Sequence, residues 1–185
     1  MTLDDAIQRA QFIRPEHKGK LRECLEKLHP DCISKWLYGT HREYDTLYQG
    51  DILKEIPVCF IDEDGDVISG TDYVAMISNT CDMQPNRKET IIVSPIVTLA
   101  DYKEDLIENK VKNVDSKLED IKKNKIISKF YLPHNGIFPE SFVDFSSMVT
   151  VNSIFVNRVY RDKELLSLIS IWFLFFPYKA HFPFC

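Results

Sequence analysis

None of the five cysteines (Cys24, Cys32, Cys59, Cys81 and Cys185) belongs to a Cys-x-x-Cys pair, and their number is odd. Such spacing supplies neither a disulfide framework nor a zinc knuckle, and it points to a reducing, cytoplasmic setting. A secretory leader is not expected either, because MTLDDAIQRA is acidic and polar where a leader would be basic and then apolar. The almost wholly apolar segment at residues 165–176 ends at Pro177, short of the ~20 residues a membrane helix needs. A positive excess is also lacking. A formal charge of -5 does not suit non-specific coating of nucleic acid, although it leaves a local basic face open. The acidic run Asp62-Glu63-Asp64-Gly65-Asp66 lies between two short apolar runs and is far too short for a calcium-binding helix–loop–helix. It reads as a hairpin turn with Gly65 at positive φ. His17 and His29 have no partner at metal-ligand spacing and read as solvated or capping groups. No metal and no cofactor is expected.

What is present is an ordinary globular composition: 185 residues, 44% hydrophobic and 28% charged. That is enough chain for one domain with a real core. Residues 73–99 are its centre. Two β-forming apolar runs, 74–77 and 91–93, are each too short for a helix and are flanked by turn formers, so each reads as a strand. The polar connection between them, residues 78–89, holds Pro85 and short polar side chains that favour turns. This arrangement aims Ser78, Cys81, Asp82 and Thr90 at one edge of a sheet, with Arg87 and Lys88 in the loop.

Around that centre the period of the apolar residues changes. Residues 2–38 carry helical spacing in three segments, the last running to Gly39. From Tyr44 the pattern is of strands. Gly50 permits a tight bend, and Asp51, with Gln49 beside it, bonds nearby backbone in that reading. Residues 101–128 recur at helical spacing, as one helix or two with a break near Asn113, and are rich in lysine without arginine. A solvated helix face is the plainer reading of that insert, and an RNA- or partner-binding ridge the other. Residues 130–132, 142–145, 149–151 and 154–156 read as strands. His134 falls in a turn, and an imidazole suits proton transfer near neutral pH, so it is a candidate general acid or base. Cys81, Asp82 and His134 are formally a thiol set, against a turn-packing cysteine. Residues 165–176 read as an apolar core or interface helix, with Trp172, Phe173 and Phe176 as candidate partner contacts.

The segments QGDIL (49–53), VAMIS (74–78) and ETIIVSPIVT (89–98) resemble the strand pattern of the MazF/PemK (Kid) toxin family. VDFSSMVTVNSIFVNRVY (143–160) looks like that family's closing strand and the start of its last helix. The resemblance covers roughly residues 48–97 and 130–178. It implies an α+β protein with a mainly β core: a small SH3-like β-barrel domain at 44–185, an N-terminal helical extension at 1–43, a helical insertion at 101–128 and a C-terminal apolar helix. It also implies a prokaryotic, metal-independent endoribonuclease acting on single-stranded RNA, checked by an antitoxin and often dimeric. The family's catalytic Ser or Thr falls on Thr90. Its arginine falls on Thr71 or Asp72, where no cation stands, and an Asp would repel the phosphate such a donor stabilises. Two readings follow. One is a toxin-like RNA-cleaving site of Ser78, Thr90, Arg87 and His134. The other is a non-catalytic barrel module that docks an antitoxin or phage-defence protein through the sheet edge or the aromatic terminal segment.

Overall fold

The computed structural model of the chain describes residues 18–19, 38–39, 46–137 and 139–168, the side chains of 161–168 excepted. Lys18 and Gly19 are helical. The remainder of the expected N-terminal helices lies outside the described residues, as do Trp172, Phe173 and Phe176. The strands are β1 (Tyr38–Gly39), β2 (Asp51–Ile61), β3 (Val67–Met76), β4 (Thr90–Thr98), β5 (Lys129–Leu132), β6 (Ser141–Asp144), β7 (Val149–Asn152) and β8 (Glu164–Leu168). The helices are α1 (Leu99–Glu108), α2 (Val114–Lys122) and α3 (Ser153–Lys163). Among the described residues the protein is α+β, with one antiparallel sheet and three helices beside the fragment at residues 18–19. The sheet runs β2-β3-β4-β6-β5 with β7 also on β4, and β8 and then β1 continue it beyond β2.

The pivot of the sheet is β4. One edge pairs with β3, Met76 opposite Val93 and Val74 opposite Pro95. The other edge changes partner midway: Thr90 to Val93 lie against β7, and Ile96 to Thr98 lie against β6. Ile92 accepts from the Ile77 amide, so its backbone faces β3, and by alternation the backbone of Pro95 faces the opposite edge. The amide that proline lacks therefore falls in the gap between β7 and β6. A proline inside a central strand is tolerated there because no ladder bond is lost. Ser94, fully buried, closes the gap by donating its hydroxyl to the Asp144 carbonyl at 2.7 Å.

After this bend the sheet rolls. Phe130, Leu132 and Val143 of the β5–β6 hairpin join Ile52, Ala75, Ile77 and Ile96 in one core. On the opposite face Leu53, Ile56, Val74, Met76, Ile91 and Val93 bury Val156 and Tyr160 of α3. The roll does not complete the expected closed barrel. Where β1 and β5 approach, the Tyr38 hydroxyl donates to the Pro133 carbonyl at 2.7 Å, a side-chain bond where a barrel would have a ladder.

Three local expectations are corrected. Residues 154–156 are helix, because the Asn152 carboxamide accepts from the Phe155 amide at 3.0 Å, an N-cap, and Val156 and Tyr160 then bury one face. Residues 165–168 begin no terminal helix. They form β8, with Leu166 opposite Ile52 and Ser167 opposite Asp51, because the open edge of β2 offers ladder bonds that outweigh weak local propensity. Tyr38 and Gly39 are strand rather than the end of a helix. The lysine-rich insert is two helices, α1 and α2, with Asn113 left-handed (φ 61) at the start of the second. Among the described residues no helix is long and apolar enough to cross a membrane.

Candidate functional site

The connection from β3 to β4 is tied down almost residue by residue. Gly50, at φ 90, lets the entry to β2 turn sharply, and its amide donates to Met76 at 2.8 Å. The buried Asp51 carboxylate accepts from the Tyr48 amide at 2.6 Å. Gln49 donates from its side chain to the Ile77 carbonyl at 2.8 Å and from its amide to the Thr80 hydroxyl at 3.1 Å. Gln84 donates to the Thr80 carbonyl at 3.0 Å and accepts from the Thr46 hydroxyl at 2.9 Å. Met83 is fully buried, and Asn157 of α3 caps its carbonyl at 3.0 Å. A loop so bonded is a structural plug over the second core.

The candidate catalytic residues divide accordingly. Ser78 and Thr90 stand at the same end of the β3–β4 pair, as the sequence led us to expect. The Ser78 hydroxyl, however, accepts the Ile92 amide at 2.8 Å and so completes the ladder where β3 ends. Thr90, Arg87, Lys88 and Cys81 are exposed on this rim, and Asp82 is half-buried. The rim is anchored from behind by Ser153, whose amide donates to Glu89 at 2.9 Å and whose hydroxyl donates to the Lys88 carbonyl. His134 is elsewhere. It follows Leu132, which lies opposite Ser141, itself opposite Thr98. It thus belongs to the far end of β4, eight residues from Thr90, or on the order of 25 Å along an extended strand. His134 acts instead on Glu140, whose carboxyl burial raises and whose bonds from Tyr131 and Lys122, with the charges of Lys122 and His134, bring below its ordinary value. The thiol set of Cys81, Asp82 and His134 is dispersed for the same reason.

Asp72, one of the two positions (with Thr71) on which the family resemblance would put arginine, lies opposite Ile56, and partial burial pushes its carboxyl up. Among the described residues no group of three His, Cys, Asp or Glu side chains is placed to hold a metal. Five lysines of the insert region are committed to carboxylates: Lys103 to Asp115, Lys122 to Glu140, Lys123 to Glu119, Lys125 to Asp120 and Lys129 to Asp144. These carboxylates interrupt the basic charge of the insert.

The hairpin expected around Gly65 is present, but its exposed extension was not anticipated. Beyond a bulge at Lys54 and Glu55, where two residues of β2 face the single Tyr73 between the pairs Leu53–Val74 and Ile56–Asp72, β2 and β3 continue as a two-stranded ribbon. Glu55 is left-handed (φ 51) at that bulge, which re-aims the strand. Among the described residues neither edge of the ribbon is paired past this level: β8 ends opposite Leu53, and β4 has turned away to β6 after Pro95. Its tip is an Asp62–Asp66 turn in which the Asp62 carboxylate accepts the Asp64 and Asp66 amides at 3.0 and 2.9 Å and Gly65 has φ 87. The ribbon exposes Phe60 (51%), Ile61 (71%), Val67 (70%), Ile68 and Tyr73. Residues 54–73 also carry six carboxylates and only one lysine, Lys54. The signal in the sequence was the juxtaposition of an acidic turn with four flanking apolar residues, which alternation alone cannot distinguish from a half-buried strand.

Compared with known proteins, the chain matches no family model and no curated protein.

Proposed function

We propose that this protein is a non-catalytic module that binds a protein partner through the β2–β3 ribbon. One observation carries the reading: Phe60, Ile61, Val67 and Ile68 stand exposed at the acidic outer end of the ribbon, beyond Ile56 and Val58, which the second core buries. Exposed apolar pairs of this kind mark interaction sites, and the carboxylates around them disfavour RNA. The groups needed for RNA cleavage support catalysis poorly. Ser78 is used by the ladder, His134 is remote, and Asp72 stands in place of a phosphate-binding cation.

The second reading, a MazF/PemK-like RNA-cleaving toxin, keeps one favourable observation, the exposed trio of Arg87, Lys88 and Thr90 on one rim. Incubation of the purified full chain with single-stranded RNA in EDTA separates the two. Intact RNA is expected. Sequence-biased fragments that vanish in Arg87→Ala and Thr90→Ala would overturn the binding-module reading.

A further inference from the structure

We infer that the ribbon receives its partner by strand addition along the outer edge of β3, and that the partner contributes an extended segment alternating basic and apolar residues. This rests on the binding-module reading above and names the mode and chemistry of that contact. Among the described residues no strand pairs with this edge, because β4 leaves it. Val74 is opposite Pro95, and had β4 continued straight, Ile96 to Thr98 would have run beside Tyr73, Asp72 and Thr71. They pair with β6 instead, which leaves a slot one strand wide beside residues 67–73 among the described residues.

The backbone of that slot points outward. Met76 accepts from Gly50 and Asp66 accepts from Asp62, so even-numbered residues of β3 turn their backbone groups toward β2. Ile77 donates to Ile92, so the odd-numbered ones turn theirs the other way. Val67, Ser69 and Thr71 consequently present amides and carbonyls to the open edge. The two edges are not equivalent. The β2 edge carries Pro57 and the bulge, two devices that blunt strand pairing, whereas residues 67–73 contain neither. Strand addition to such an edge takes affinity from main-chain bonds and specificity from alternate side chains.

Charge selects the occupant. Asp62, Glu63, Asp64, Asp66 and Asp72 give the ribbon a negative charge, with no arginine and a single lysine, Lys54, in it to offset them. An acidic segment, or the ribbon of a second copy, would be repelled. A segment with lysine or arginine at alternate positions and aliphatic or aromatic residues between them satisfies both the carboxylates and Ile61, Val67 and Tyr73.

The full chain is titrated with a labelled decamer alternating lysine and valine, and with glutamate–valine and centrally proline-interrupted decamers. Binding of the lysine–valine peptide is expected, at least tenfold tighter than either control. Ser69→Pro removes one outward amide without touching the β2–β3 ladder, so it should weaken binding at least tenfold while the far-ultraviolet spectrum is kept. Asp64→Lys/Asp66→Lys should weaken it and make its salt dependence shallower. No binding, or binding indifferent to Ser69→Pro, overturns the inference. So does sedimentation showing that wild-type chains associate with each other through residues protected at 67–73. A chain that leaves RNA intact yet binds no such peptide sinks this inference alone, whereas RNA cleavage dependent on Thr90 sinks the reading beneath it.

Discussion

The Ile92 amide donates to the Ser78 hydroxyl at 2.8 Å, one residue past the point where Ile92 accepts the Ile77 amide. A side chain thus supplies the acceptor that β3 no longer provides. Ser78→Ala leaves a half-buried strand amide unsatisfied, which costs about 1–3 kcal/mol. Urea unfolding of the variant should show a lower midpoint with an unchanged slope, and Ser78→Thr should recover most of the loss. A Ser78→Ala chain as stable as wild type would return the hydroxyl to the list of groups free for chemistry.

Much of this centre was legible beforehand, because the apolar runs at 74–77 and 91–93 are short, β-rich and bounded by turn formers. Their adjacency, the glycine-led turn at Gly65 and the bend at Gly50 with Asp51 bonded to its own turn follow from local chemistry that alternation and turn preference express. The dispersal of His134 was not legible. It depends on β4 exchanging β7 for β6 at Ser94 and Pro95, a long-range choice that no local spacing records. The open barrel and the conversion of residues 165–168 to a strand are likewise products of which edges meet. The ribbon was hidden for a simpler reason: alternating apolar residues look alike whether the other face is covered or bare.

Lys129 and Asp144 pair at 3.0 Å with both side chains largely buried, and the ammonium rests 4.4 Å from the centre of the Phe142 ring. Burial alone would raise the Asp144 carboxyl. Bonds from Ser146 and Lys129 outweigh it and hold the group below its ordinary value. A depressed folded value contributes stability that is present above the unfolded value, about 3.9, and is lost as pH falls through the folded one. Stability measured from pH 7 down to pH 3 should therefore decline at the acid end. In Lys129→Met this part of the decline should shrink, with an overall loss of about 3 kcal/mol at neutral pH because one buried charge is left alone. An unchanged acid profile in Lys129→Met would refute the assignment.

At the alkaline end the tyrosines dominate. Burial raises Tyr38, with a further push from Tyr131, and burial raises Tyr131, whose hydroxyl donates to Glu140. A raised folded value means that the contribution is complete below the unfolded value, about 10, and disappears as pH climbs beyond it. The chain should lose stability above pH 10 in step with tyrosinate absorbance at 295 nm. Tyr38→Phe, which also removes the bond to Pro133 across the open seam, should blunt that loss. A Tyr38→Phe chain with an identical alkaline limb would show that the seam does not govern it.

The ribbon supplies the sharpest separation between what the fold needs and what it displays. Ile56 and Val58 lie on the same face of β2 as Phe60, but the first two are buried in the second core and Phe60 is half exposed. Truncating Ile56 to Ala should cost about 2–4 kcal/mol through lost burial and a residual cavity. Phe60→Ser and Ile68→Ser, a cross-strand pair with little to pack against, should stay within about 0.5 kcal/mol of wild type, as surface changes do. Apolar groups exposed in this way favour association more than folding. The double variant Phe60→Ser/Ile68→Ser should accordingly fold as well as wild type, be more soluble, and bind the lysine–valine strand less tightly. If it unfolds several kcal/mol more easily instead, the pair belongs to the core, and the surface has been misread.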